Sequence, residues 1–395
     1  MLSKSNERML SLLASVLHNK KPEKISGEAW PAIYDELFSQ AVYSLPAEYI
    51  NDLGLSSDVQ MTYLKAIINN RKIFHPLMKE QTWALSLLKE NDILAVVVKG
   101  AAAAMYYPHP ENRCMGDIDI LVLPKDFEKA YEVLVSAGCK PLKTPEDFYR
   151  HIGMFTENDI EIELHNFFSC SDNTRYNKAL DKILFAAIPS LEQRELCGYP
   201  VSMLPPLENG LVLLDHINHH ISSGLGLRQI VDWMFYVEAV LDDDFWKNSF
   251  AKKADEIGLK RLAILVTAMC QKYLGLEKDI HWCTYEPVCD ELMEYILAHG
   301  NFGRKVDSTK SRTVSVLKRI RNPIKGLAVA QQSGLINWKA TQKYKILKPF
   351  AWIYQLIRWA RRGIESGVTV NALSEASSTA KEATEFLKKL GVTRL

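Results

Sequence analysis

The segment "RCMGDIDILV", residues 113–122, constrains this chain more than any other. Asp117 and Asp119 alternate with Ile118 and Ile120, and Leu121 and Val122 continue an apolar run. Alternation with period two is the signature of a strand. It sets both carboxylates on one face and both isoleucines on the other. Like charges side by side repel, so a strand with one buried face and two anions on its other face calls for a positive partner there. About forty residues later "EIELH" repeats the device, with Glu161, Glu163 and His165 on one face and Ile162 and Leu164 on the other. Were the two strands neighbours, Asp117, Asp119 and Glu163 would converge. Three carboxylates so close cannot all stay ionised without a cation. Mg²⁺ suits such a cluster, because it takes oxygen ligands and completes its shell with water and substrate phosphates.

Around these strands the pattern divides the chain into four parts. Residues 1–90 read as helices, with apolar residues at three- and four-residue steps in "ERMLSLLASVL", "AWPAIYDELFSQA" and the long run from Met61 to Asn91. Residues 91–200 form a small α/β core. "ILAVVV" is a buried strand, "KGAAAAMYY" a glycine turn into a helix start, and "PKDFEKAYEVLVSAG" an amphipathic helix with proline before it and glycine after. "FYRHIGMF" and "DIEIELHNF", joined by the polar "TEND", predict a hairpin. Residues 201–300 read as a helical bundle, and 301–395 as a basic loop followed by further helices. The expected class is therefore α+β: a small mixed sheet flanked by helices, with a helical N-terminal segment and a helical C-terminal domain.

Bulk properties remove several classes. Forty-eight Lys and Arg balance 47 Asp and Glu, a net charge of +1, so no global field draws the chain to nucleic acid or lipid. No stretch approaches the roughly eighteen apolar residues of a membrane span. Seven scattered cysteines without a Cys-x-x-Cys, and no signal-peptide pattern, predict a reduced, cytoplasmic protein.

"KGAAAAMYYPHPENRCMGDIDILV" followed by "EIELH" resembles the nucleotidyltransferase superfamily typified by DNA polymerase β, and more narrowly a bacterial family of largely uncharacterised nucleotidyltransferases. The downstream block "HINHHISSGLGLRQIVDWMFYVE" shares in the narrower resemblance. The likeness covers roughly residues 30 to 275. It implies that Asp117 and Asp119 bind the metal ions, with Glu163 the third carboxylate. Lys99 and Gly100 would open the helix that holds nucleotide phosphates. Ala101 stands where the superfamily usually carries Ser or Gly, and "YPHPEN" lengthens the spacing to Asp117. The implied reaction is Mg²⁺- or Mn²⁺-dependent transfer of NMP from an NTP to an unidentified acceptor hydroxyl, with pyrophosphate released. The alternatives are a non-catalytic nucleotide-binding regulator and a toxin-like nucleotidyltransferase acting on RNA or protein.

Other residues carry weaker signals. Gly116 leaves room beside the aspartates, and Arg113, four residues before Asp117, either neutralises transferring phosphates or pairs with a site carboxylate. His165 orients Glu163, contacts substrate, or simply bonds to backbone. His216 and His220, four apart on one helix face, suit the lining of a cleft, or plain core and surface positions, better than zinc. Arg228 and Asp232 are spaced for a pair along a helix. The basic stretch 304–325 reads first as a solvated loop and only second as a nucleic-acid contact. The helix bearing Trp352, Tyr354, Trp359, Arg361 and Arg362 is expected to pack on the bundle in preference to a membrane surface.

Overall fold

The computed structural model describes residues 2–142, 150–169, 175–221, 224–305, parts of 327–365, and 385–391. Most of the basic stretch, including Lys310, Arg312, Lys318, Arg319, Arg321 and Lys325, lies outside the described residues, as does the side chain of Arg362.

Helices α1 (Lys4–Val16), α2 (Trp30–Ser39) and the 34-residue α3 (Ser57–Glu90) lead into the sheet region. There β1 (Ala95–Val97), α4 (Gly100–Ala104), β2 (Asp117–Val122), α5 (Phe127–Ser136), β3 (Lys140–Pro141), β4 (His151–Phe155) and β5 (Glu161–His165) follow in turn. After α6 (Arg175–Ala187), the hairpin β6 (Glu192–Leu196) and β7 (Tyr199–Met203) completes a seven-stranded mixed sheet of order β3-β4-β5-β2-β1-β7-β6. Helices α7 (Pro206–Ile221), α8 (Leu227–Ala239), α9 (Lys260–Leu274) and α10 (Val288–His299) form the bundle that follows, and α11 (Ala351–Glu365) comes later. The class is α+β, as the patterning implies.

Strand alternation explains how the sheet is covered. Ile118, Ile120 and Val122 of β2, with Ile162 and Leu164 of β5, enter a core shared with α3 and α5. Leu121, on the opposite face of β2, enters a second core built from α1, α2 and the bundle helices. Asp117 and Asp119 share the Leu121 face. The acid face is therefore the one turned toward the bundle, and its open end becomes a cleft.

The hairpin β4–β5 forms where "TEND" predicts it, and Asp159 takes the left-handed conformation (φ 56°) in its turn. The β6–β7 hairpin was not predicted. β6 is largely exposed and polar, "EQREL", so no apolar alternation marks it. Its turn is marked only by Cys197 and Gly198, whose φ of 50° and 82° fit a two-residue primed turn.

Candidate active site

Parallel pairing of β2 with β5 sets Asp117 opposite Glu161 and Asp119 opposite Glu163. The two period-two patterns thus share one face of adjacent strands. Asp119 is buried, and its Oδ1 accepts hydrogen bonds from Lys99 Nζ at 2.6 Å and from His165 Nε2 at 2.8 Å. Glu163 lies between two imidazoles, with His165 Nε2 at 3.4 Å and His151 Nε2 at 3.6 Å. Oxygen and nitrogen atoms of Asp119, Glu163 and His165 all lie within 4.8 Å of one another.

The local electrostatics follow from this arrangement. Burial opposes the charge of Asp119, yet Lys99 and His165 hold its carboxyl well below the usual carboxylate range. Burial also opposes the charge of Glu163, and its bond to His165 carries it below the usual range. Burial and the neighbouring Asp119 charge push the Asp117 carboxyl up. The charges of Lys99 and Arg228 also pull on Asp117, but more weakly than these opposing influences. Glu161 is raised as well, by burial and then by Glu163 and Asp117.

Lys99 precedes α4 with φ 59° and ψ −133°, a region that L-residues rarely occupy. This turn reverses the chain between β1 and α4 and aims the ammonium back at β2. Gly100 follows at φ 29°, where a Cβ would lie 3.9 Å from the Asp117 carbonyl oxygen. The first turn of α4 is thus set directly beside the first residue of β2. Ala101 to Ala104 are all fully buried, and their small side chains let α4 sit against α7 and the sheet. Asn209 of α7 fastens it with a hydrogen bond from Nδ2 to the Ala102 carbonyl at 3.2 Å. Gly116 faces open space, with no atom within 4 Å of where a Cβ would stand.

Arg113 lines the cleft, but its planar fork is engaged by Asp232 of α8. Nε meets Oδ1 at 2.7 Å and Nη2 meets Oδ2 at 2.8 Å, and the Tyr107 hydroxyl donates to the same Oδ1 at 2.6 Å. The pair ties the approach of β2 to α8. Asp232 therefore gives both oxygens to Arg113 and not to Arg228, the partner that helical spacing predicts. Arg228 instead donates Nη1 to the Cys114 carbonyl at 3.0 Å and stacks over Phe302 at 5.3 Å. Its Nε has no hydrogen-bond partner among the described residues.

The resulting cavity, about 210 Å³, has the β2–β5 acids and Lys99 on one wall. Arg150, Arg228, His216 and His220 line it too, with Phe302 among its other residues. The rings of His216 and His220 meet edge to face at 4.6 Å. Burial, then the mutual influence of the two rings and the charge of Lys99, holds His216 in its neutral form well below the ordinary histidine range. Phe168 closes over Lys99, with the ammonium 5.7 Å from its ring centroid. Asp181 of α6 anchors that loop by accepting from the Phe168 and Ser169 amides, both at 3.0 Å.

Arg150, His151, Phe168 and Phe302 were not singled out from the sequence. His151 did leave a signal. It stands on the alternation His151–Gly153 opposite Ile152–Met154, in register with His165.

The donor set suits a hard divalent cation. Asp119 and Glu163 supply oxygen and His165 nitrogen within 4.8 Å of one another, and the bonds to Asp119 from Lys99 and His165 go to a single oxygen; Asp117 stands on the same strand face but outside that group of three. A comparison with curated proteins finds no match. A family model described as uncharacterised nucleotidyltransferase matches residues 26–275, a span that contains the whole β2–β5 acid face, Lys99, and the α7 and α8 wall. The chain belongs to that nucleotidyltransferase family.

Proposed function

We propose that this chain transfers the NMP of an NTP to an acceptor hydroxyl and releases pyrophosphate, on a core of the DNA polymerase β type. Asp117, Asp119 and Glu163 would hold a divalent ion, Mg²⁺ or Mn²⁺. The ion would supply charge neutralisation for the phosphates and for the oxygens that enter and leave phosphorus. The observation that carries this reading is the Asp119–Glu163 register across β2 and β5, which gathers acids from two distant segments at the floor of one cleft.

The residues have separable tasks. Lys99 and the amides opening α4 face the triphosphate, and Arg228 offers a second cation from the opposite wall. Lys99 and His165 keep Asp119 ionised. Glu163, with a quarter of its side chain exposed, would either hold the first metal ion or act as the base that takes the proton of the acceptor hydroxyl. The acceptor oxygen then bonds to the α-phosphorus as the bond to pyrophosphate breaks. Positioning and neutralised charge supply most of the acceleration in such transfers.

The test is incubation with each α-labelled NTP, Mg²⁺ and cell extract, with pyrophosphate measured in parallel. Asp119→Asn is expected to lower labelling by at least about a hundredfold. Undiminished labelling by that variant would overturn the assignment. One observation favours a second reading, a nucleotide sensor. Lys99 already occupies Asp119 at 2.6 Å, and Ala101 offers phosphate no hydroxyl. A sensor would bind NTP in calorimetry and release no pyrophosphate.

A further inference from the structure

Charge is segregated along this chain in a way that its net value of +1 conceals. Between Ser308 and Ile364 there are thirteen Lys and Arg and not one Asp or Glu. The rest of the chain therefore carries a net charge of −12. The described residues at the end of this segment also have an unusual orientation. Helix α11 turns its small and polar side inward. Ala351 is fully buried and Gln355 is only 3% exposed. Gln355 Oε1 accepts from Asn337 Nδ2 at 2.9 Å, and the Trp352 amide donates to Gln331 Oε1 at 3.1 Å. Trp338 stacks on Tyr354 with centroids 5.2 Å apart. Gly334 comes so near that a Cβ there would lie 1.9 Å from the Ala351 carbonyl oxygen.

The apolar side faces out. Ile346 is 79% exposed and Ile357 52%, with Phe350, Ile353 and Leu356 exposed between them. Ile353, Leu356 and Ile357 share one face of α11, and Ile346 and Phe350, on the short 3-10 helix Lys345–Phe350 just before it, extend the exposed apolar surface. Lys345, Lys348 and Arg361 are exposed around it. A helix that buries Gln and exposes Ile is built for a medium other than water.

We propose that this face docks on an anionic lipid surface. These apolar side chains would enter the boundary between headgroups and acyl chains, and the lysines and arginines would lie over lipid phosphates. The charge pattern argues against the other occupants. A second copy of the same face would set Lys345, Lys348 and Arg361 against their own counterparts, with no acid between Ser308 and Ile364 to compensate. Nucleic acid would account for the cations but would leave Ile346, Ile353, Leu356 and Ile357 without an apolar partner. Among the described residues no helix is long and apolar enough to cross a membrane, so the contact is one of lying on the surface.

The test is co-flotation of the full chain with phosphatidylcholine vesicles, alone or with about a third phosphatidylglycerol, at low salt and at about 0.5 M salt. Binding is expected only to the anionic vesicles. Lys345→Gln with Lys348→Gln should weaken partitioning about 25-fold, about fivefold for each cation lost. Ile353→Glu with Ile357→Glu should abolish it while the thermal midpoint stays that of the parent, because both positions are exposed. Brominated acyl chains should quench tryptophan fluorescence of the unaltered chain, a readout that needs no variant. Failure to float with anionic vesicles, or no quenching by brominated lipid, would overturn the proposal. So would binding indifferent to the isoleucine changes. A dimer in light scattering that those same changes dissolve would assign the face to a second copy instead.

Discussion

The buried ion pair between Arg113 and Asp232 makes a quantitative demand on the fold. Both side chains are almost wholly withdrawn from water, at 2% and 1% exposure. Asp232 accepts three bonds, from Arg113 Nε, Arg113 Nη2 and the Tyr107 hydroxyl. In Asp232→Asn the shape persists, but the amide turns a donor toward the guanidinium and the Arg113 charge loses its counter-ion. Removing one partner of a buried pair costs about 3–5 kcal/mol, because an uncompensated charge stays in a poorly polarisable site. A domain of ordinary stability, about 5–15 kcal/mol, would lose about a fifth or more of it. At about 2–4 °C per kcal/mol, the melting temperature should fall by about 6–20 °C in calorimetry. The companion variant Arg113→Met, Asp232→Leu, Tyr107→Phe removes every member of the network together. It should recover most of the loss, since apolar replacement of a whole buried pair is often near neutral. A loss under about 1 kcal/mol for Asp232→Asn would refute this account of the pair. So would a triple variant no more stable than Asp232→Asn.

Two further outcomes follow from buried groups near the cleft. His216 and His220 are neutral in the folded chain and titrate well below their ordinary range, so between the folded and unfolded values the unfolded chain binds more protons. Stability is therefore full above the unfolded histidine value and declines as pH falls below it. The decline is at most about 1.4 kcal/mol per pH unit for each ring. Urea titrations at pH 7.5 and 5.5 should show it, and His216→Gln with His220→Gln should flatten it. Among the described residues the buried Tyr236 hydroxyl has no hydrogen-bond partner, and it stands 2.3 Å from where a Cβ on Gly210 would lie. Tyr236→Phe is accordingly expected to be neutral or to stabilise by about 1 kcal/mol, whereas a clear loss of stability in the same titration would contradict an unsatisfied hydroxyl.

What the sequence made legible, and what it hid, divides by whether a local pattern records the contact. Asp117 and Asp119 could be placed on one face because period-two alternation is a property of six consecutive residues. The same holds for Glu161, Glu163 and His165, and the buried isoleucines between them leave no other register. The wall across the cleft has no such record. Arg228 and Asp232 are four apart on α8, a spacing that local rules read as a helix pair, yet Asp232 turns to Arg113, 119 residues earlier in the chain. Arg228, relieved of that carboxylate, meets the Cys114 carbonyl and the Phe302 ring, and each comes from a separate segment. Helix α11 is a different case. Its periodicity correctly marks an amphipathic helix, but periodicity gives only the angle between the two faces. It does not say which face meets protein. Here the packing side was decided by Gly334, Asn337 and Gln331, small and polar residues on the preceding segment that accept Ala351 and Gln355 and offer nothing to isoleucine. An amphipathic helix can be assigned to a protein core only when a complementary apolar surface is at hand. Among the described residues no such surface meets the apolar face of α11, so the pattern alone fixes the helix and not what covers it.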